Sequence, residues 1–294
     1  MNWDEEVDVV CIGSGVGGVA SAIAAVDAGL EVFVASTGVD DGAWDGREPN
    51  AALSPAHALR RLAVDSLDWE TYEYLDALSQ DLPPVSRFGR DVEVPIRVVD
   101  DPSPIEMSGR CRTTAETFVG ARLRDWASQC LASPYGVLYS YVADRNMTMM
   151  RSRTGETIEA AIVGSVELDR EHPGPALADW LVTQAWDRGI EVYAANPLQR
   201  LVFEDGQVVG AVVATPAGTF ALRSRRGVVV ATGGEPVNTT CPDYPFTGDE
   251  SVQVCMVSRA ASRFARVELL TKQPFAEDSR RAWLPMNQLR HAIV

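Results

Sequence analysis

Near the start of the chain, Gly13-Ser14-Gly15-Val16-Gly17-Gly18 sets glycines at the spacing G-x-G-x-x-G. The spacing has a chemical use. Gly13 permits a tight turn, Gly15 lets a pyrophosphate approach the backbone, and Gly18 lets a helix pack closely on a strand. Free N–H groups and the dipole at a helix N-terminus then favour phosphate charge. An acidic side chain is expected about 20 residues beyond the glycines, where it holds ribose hydroxyls. Here that place is held by Ala35-Ser36-Thr37, and Asp40 and Asp41 come a few residues late. Ser36 and Thr37 remain as hydroxyl partners for a ribose.

The elements that must position this turn are legible around it. Val7–Ile12 is a short apolar run rich in β-branched residues, as a strand buried on both faces should be. Small residues then give a helical pattern up to Gly29, a C-terminal stop, and 31–35 reads as a second strand. Strand, glycine turn, helix and strand make one βαβ unit. That context separates a dinucleotide site from an ordinary tight turn.

Composition narrows the classes. A chain of 294 residues with 46% hydrophobic residues is long enough for one large or two small domains with a real core. A net charge of −15 argues against a nucleic-acid partner and against an anionic membrane surface. The opening MNWDEEVDVV lacks the basic start of a signal peptide, so cytoplasmic is the expectation. Cys11, Cys111, Cys130, Cys241 and Cys255 are scattered and odd in number. Neither a disulfide framework nor a metal site is expected, and Cys11 reads as a small buried apolar residue.

Further along, Ser54-Pro55 opens a helical pattern that runs to Leu78 and ends before Pro83-Pro84. Residues 87–99 read as extended. Thr113 and Glu116 form a capping box ahead of a helix with Val119, Leu123, Trp126 and Cys130 on one face. Two extended stretches flank Thr154-Gly155-Glu156. Tyr135, Tyr139 and Tyr141 are candidate acids for redox chemistry, although strand aromatics packed on a sheet are the commoner case. His172-Pro173-Gly174-Pro175 reads as a linker before a helix stopped by Gly189, and 190–193 as a short strand. Antiparallel strands at 201–204, 208–214 and 220–224 follow, joined by turns at Asp205-Gly206 and Pro216-Ala217-Gly218. The apolar run 227–232 then ends in Gly233-Gly234. A strand ending this way lies at the carboxyl edge, where doubly wound sheets bind ligands.

Taken together, the glycine βαβ unit, the "GIEV" strand, the meander with "DGQVVGAVV" and the closing "GVVVATGG" resemble the FAD-binding domain of the fumarate reductase flavoprotein and ketosteroid dehydrogenase superfamily. Thr247-Gly248-Asp249-Glu250 and a following helix over 251–263 resemble that family's "TGDG" segment. The resemblance implies an α/β fold: a Rossmann-like doubly wound parallel sheet with an inserted antiparallel β-meander at 199–226. On this expectation 1–294 is one FAD-binding domain, 38–169 a family-variable insertion, and the substrate cap is absent. It places Gly13, Ser14, Gly15, Val16, Gly17 and Gly18 at the FAD pyrophosphate. Ser36, Thr37, Ala231, Thr232, Gly233, Gly248 and Asp249 then lie elsewhere along the cofactor.

Two departures bear on function. Family members usually carry Glu at the position of Ala35, and the loop 41–47 (DGAWDGR) adds carboxylates near a pyrophosphate. Relatives also continue into a cap and a closing C-terminal segment that hold most catalytic groups, so no catalytic residue is assigned. The resemblance implies an FAD-binding subunit of an oxidoreductase acting on CH–CH groups, steroid-like or fumarate-like. FAD is then held weakly or shared with a partner chain that supplies the cap, or the chain forms a homo-oligomer over its exposed apolar face. The alternative is a non-catalytic flavoprotein homologue serving as scaffold or regulatory subunit. NAD(P) binding, which needs an arginine near the ribose, ranks last because the nearest is Arg47.

Overall fold

The computed structural model describes residues 2–36, 68–83, 94–99, 119–141, 147–153, 155–168, 172–193, 197–232 and 251–271. The chain opens with β1 (Glu5–Ile12), α1 (Val16–Asp27) and β2 (Val32–Ala35), the expected βαβ unit. Next come α2 (Trp69–Ser79), capped by the Asp68 carboxylate accepting from Thr71 N, and β3 (Ile96–Val98). α3 (Val119–Ala132) runs into β4 (Gly136–Tyr139), and β5 (Thr148–Arg151) pairs with β6 (Thr157–Val166). After α4 (Pro173–Asp187) stand β7 (Val192–Tyr193), β8 (Leu198–Glu204), β9 (Gln207–Thr215) and β10 (Gly218–Ala231). The last described strands are β11 (Val252–Ser258) and β12 (Phe264–Thr271).

Among the described residues these strands form a sheet of 12, ordered β5-β6-β11-β12-β4-β10-β1-β2-β7, with β3 on β12 and the β8–β9 pair on β10. β10, β1, β2 and β7 run parallel. The strands from β4 to β5 alternate in direction. Two core layers lie on opposite faces. Ile23, Leu177 and Leu181 pack with Val229, Val254 and Val267 on the α1–α4 face. Leu75, Trp126 and Leu131 pack with Val10, Val228 and Val230 on the other. Successive residues over 9–12 of β1 and 228–230 of β10 thus enter different layers, which is why those two segments are continuously apolar rather than alternating. Each fully buried valine or isoleucine stabilises the fold by roughly 1.5–3 kcal/mol.

Three sequence expectations change here. The third meander strand and the "GVVVA" strand are one 14-residue strand, β10. Its first half pairs with β9 and its last residues lie along Val10, Cys11 and Ile12 of β1. The joint is a register shift opposite Val7–Val9, where the Ser224 hydroxyl accepts from Gly227 N at 2.7 Å and lies 2.9 Å from Asp8 O. Second, 251–263 is not a helix. It forms β11 and a turn with Ala261 at φ 64°, leading into β12. Val252, Val254 and Met256 enter one core layer and Cys255 and Val257 the other, a demand that a strand between two neighbours meets and a one-faced helix does not. Third, His172–Pro175 is the start of α4 rather than a linker. His172 is the N-cap and Pro173 the first helical residue, where a missing N–H costs nothing.

Candidate functional site

The carboxyl ends of β1, β2 and β10 meet at the glycine turn. Gly13 has φ +96° and donates its N–H to Ala35 O at 2.7 Å. A side chain there would be strained by that φ, and its Cβ would lie 2.9 Å from the Cβ of Ala231. A Cβ on Gly18 would run into the carbonyl of Gly13, so the first turn of α1 lies directly on the loop that precedes it. α1 also touches β4 closely: a Cβ on Gly17 would stand 2.7 Å from both Gly136 O and Val137 Cγ1.

Among the described residues, this packing presents a helix end without a side-chain cap. Gly15 is the N-cap, with φ −65° and ψ 174°, and it makes no side-chain cap bond; no acid stands in the first turn. The N–H groups of that turn keep their capacity for an acceptor, and the α1 dipole adds partial positive charge. Ser14 and Gly15 are half-buried while Val16, Gly17 and Gly18 are buried. The cradle fits a compact anion such as a pyrophosphate, because no bulky or acidic side chain of the turn occupies it.

The remaining expected residues divide. Ala231 and Thr232 come to the turn, both buried. Thr232 N donates to Gly136 O at 2.9 Å, and its hydroxyl points inward to Cys130 O at 3.2 Å. The hydroxyl therefore fastens β10 to the α3–β4 junction. Ser36 is half-buried at the end of β2 and donates its N–H to Tyr193 O at 2.9 Å. Ala35 is fully buried beside Phe33 in one core layer. Thr37, Gly233, Gly248 and Asp249 lie outside the described residues, as do Asp40, Asp41 and the loop 41–47. The tyrosines do not gather at the turn. Tyr135 is wholly buried, and β4 carries Tyr139 opposite Val229, toward the amino edge of the sheet. Beyond it, Tyr141 is half exposed.

Two features escaped the sequence. Gly136 is a wedge, since any Cβ on it would collide with Cys130 O and the Thr232 hydroxyl; the only local hint is the turn Ser133-Pro134-Tyr135-Gly136. The second is a buried ion network on β3 and β12. Arg97 grips Glu268 with Nε–Oε2 at 2.6 Å and Nη2–Oε1 at 2.9 Å, and reaches Glu156 at 2.7 Å. Arg266 bonds the same Glu268 at 2.8 Å, and Arg259 pairs with Glu156. The guanidinium groups of Arg259 and Arg266 lie 5.1 and 4.9 Å from the centroid of the Trp126 ring. Burial pushes the Glu268 carboxyl up, but Arg97 and Arg266 outweigh it and hold the carboxyl down to about 2. No local sequence signal announces these pairs, which are distant in the chain.

Among the described residues no group of three His, Cys, Asp or Glu side chains is placed to hold a metal ion. Within the same residues no helix is long and apolar enough to cross a membrane.

No curated protein matches the chain. A solved 3-ketosteroid-Δ4-(5α)-dehydrogenase from Rhodococcus jostii RHA1 is 20% identical. It matches over 78% of this chain and 46% of its own, with a TM-score of 0.32. For a flavocytochrome c3 fumarate reductase in an open conformation the values are 16%, 78%, 34% and 0.31. For 3-ketosteroid Δ1-dehydrogenase from Sterolibacterium denitrificans they are 15%, 76%, 47% and 0.30. The chain spans less than half the length of each. The family profile described as "FAD binding domain" matches residues 8–253, from β1 through the start of β11. The chain therefore belongs to the FAD binding domain family, and its cofactor is FAD.

Proposed function

We propose that this chain is the FAD-holding part of a flavin-dependent oxidoreductase acting on CH–CH bonds of a steroid-like or dicarboxylate-like substrate. The observation that carries the reading is the uncapped N-terminus of α1, seated by glycines against Gly13 and Ala231 within a match to an FAD-binding family. Bound FAD supplies the two-electron acceptor for α,β-dehydrogenation or the donor for its reverse. The chain's own residues bind and orient. The N–H groups of the first turn of α1 hold the pyrophosphate, with Ser14 and Gly15 at its approach. Ala231 closes the turn from β10, and Thr232 fixes the end of that strand by its bonds to Gly136 and Cys130. Ser36, at the end of β2, stands on the ribose side of the turn. A partner polypeptide supplies the substrate cap and the proton-transfer groups.

The absorbance spectrum of the purified protein tests the cofactor half of the reading. Stoichiometric near-ultraviolet and blue flavin bands are expected, and a colourless protein that FAD does not restore would count against it. Co-purification tests the other half, because a chain that stays alone and reduces a CH–CH acceptor unaided refutes the partner. A second reading is favoured by one observation, the full burial of Ala35 where a ribose-binding acid is expected. In it the fold serves as a non-catalytic scaffold or regulatory subunit. Flavin bands without reduction by any partner would support it.

A further inference from the structure

Ser21 and Tyr139 stand outside the glycine turn, yet their hydroxyls are bonded into the first turn of α1. Ser21 lies one turn beyond the glycines and is buried. Its hydroxyl donates to Gly17 O at 2.8 Å and lies 3.3 Å from the Tyr139 hydroxyl. Its other neighbour, the Met256 sulfur, is 4.0 Å away and is a weak acceptor. The Ser21 proton therefore belongs to Gly17 O, and Tyr139 is the donor to Ser21.

The peptide that receives this bond is the one that matters. Gly17 O and Gly18 N–H belong to a single planar, conjugated peptide group. Gly15 is the N-cap, so Gly18 is the third helical residue. The first intrahelical bond runs from Val19 N to Gly15 O at 3.0 Å, so the Gly18 N–H is not used by the helical ladder. It is one of the donors that an acceptor at a helix N-terminus takes. A hydrogen bond accepted by the carbonyl draws electrons across the amide and strengthens its N–H as a donor.

β4 therefore acts on this peptide twice. Gly136 O bears on Gly17 from one side, and Tyr139, three residues later on the strand, reaches it through Ser21. The chain runs from the Tyr139 hydroxyl to Ser21, to Gly17 O, and across the amide to Gly18 N–H.

We propose that Ser21 and Tyr139 are positioning residues for the FAD pyrophosphate, fixing and polarising the Gly17–Gly18 peptide without touching the cofactor. The inference rests on the pyrophosphate lying at the N-terminus of α1. It adds that the donor strength of that end is set in part by a phenol from β4.

The Gly18 amide can be read directly in the full chain. The sequence has two Gly-Gly pairs, Gly17-Gly18 and Gly233-Gly234. Carbon- and nitrogen-labelled glycine thus gives two carbonyl-to-amide NMR correlations, and Gly234→Ala identifies the second. In apoprotein, Ser21→Ala should move the Gly18 amide proton upfield, and Tyr139→Phe should move it the same way by less. Once Ser21 is replaced by alanine, Tyr139→Phe should add nothing, because it acts through Ser21. Ser21→Thr keeps a hydroxyl that can reach the same carbonyl and should restore the parent shift.

Fluorescence titration with FAD is the second readout. Losing one member of a hydrogen-bond chain takes about 10–30% from a charge-assisted bond, so Ser21→Ala should weaken FAD by a factor of about 1.3 to 5. A Gly18 amide unmoved by Tyr139→Phe overturns the proposal, as does an equal effect of Tyr139→Phe with and without Ser21. Loss of affinity that follows urea stability while Gly18 stays fixed assigns the pair a structural role and also overturns it. If Ser21→Ala does not fold, Tyr139→Phe decides alone, because it removes a single oxygen. The NMR arm needs no cofactor, so a parent chain that fails to bind FAD refutes the cofactor reading separately.

Discussion

Substituting Gly17 by alanine separates the anion-binding role of the glycine turn from its packing role. The added Cβ would stand 2.7 Å from Gly136 O and from Val137 Cγ1, and 3.1 Å from Tyr135 O. Ordinary contact begins near 3.4 Å, so α1 and β4 must part by about 0.7 Å at this point. Because two of the three obstacles are backbone carbonyls, the relief falls on α1 as a body. Overpacking of this kind costs about 1–3 kcal/mol of stability. The helix end moves with it. A shift of that size takes an N–H···O contact from about 2.9 Å to about 3.6 Å, beyond hydrogen-bonding distance. One lost bond to a charged phosphate is worth about 1.5–3 kcal/mol, which is roughly a 10- to 150-fold loss of FAD affinity. The assay is fluorescence titration of apoprotein with FAD, run beside urea denaturation. Gly29→Ala is the control: Gly29 has φ +77° and nothing near its Cβ position. It should cost about 1–2 kcal/mol of stability and leave affinity unchanged. If Gly17→Ala folds and binds FAD within about twofold of the parent chain, the pyrophosphate does not sit on this helix end and the site reasoning fails.

Glu268→Gln should destabilise the fold by about 3–5 kcal/mol, the usual cost of removing one partner from a buried pair, as measured by urea denaturation at neutral pH. In the parent chain the Glu268 carboxyl lies at about 2 rather than its ordinary 4.5, so its contribution of about 3 kcal/mol is complete above pH 4.5 and fades as pH falls toward 2. The variant should lack that part of the acid dependence; identical slopes in the two proteins would refute the assignment. Cys11, Cys130 and Cys255 are buried, and burial raises all three thiols, Cys11 and Cys255 to about 12. A thiol reagent should label them only on unfolding, and rapid labelling in the native state, located by peptide mapping, contradicts the packing described. Ala35→Glu should lower apoprotein stability by about 1–3 kcal/mol because the position is sealed, while FAD affinity rises or holds; a clear loss of affinity would place the ribose elsewhere.

How much of this was legible depends on whether a constraint is local. The βαβ unit could be read because each of its requirements acts within a few residues: a strand buried on both faces, a glycine turn, a small-residue helix and a glycine stop. The meander turns could be read for the same reason, with Asp205 and Gly206 both at positive φ. The "VVVA" run was read as a strand at the carboxyl edge, and β10 ends there, but its continuity with the meander was hidden. Arg225, Arg226 and Gly227 look like a loop in sequence. They are instead a bulge, kept in the sheet by Ser224 and by the ion pairs of Arg225. β11 failed differently. "VQVCMVS" has the β-branched residues of a strand, but its neighbours in the sheet, β6 and β12, are what require both faces to be apolar.

The ion network shows the limit most clearly. Arg97 and Glu268 are 171 positions apart, and single charged residues in sequence look like solvated surface. Burial turns them into a joint: the Arg97 fork ties β3 to β12, whose Arg266 in turn is registered opposite Gly136. Gly136 then bonds Thr232 and bears on Gly17. The glycine turn announces itself because anion binding and close packing demand the same residues there. What holds it in place does not, because the joints from Glu268 through Gly136 exist only once distant strands have met. The turn's rigidity is therefore a property of the whole sheet, and a change at Gly136 should reach FAD binding as surely as one at Gly13.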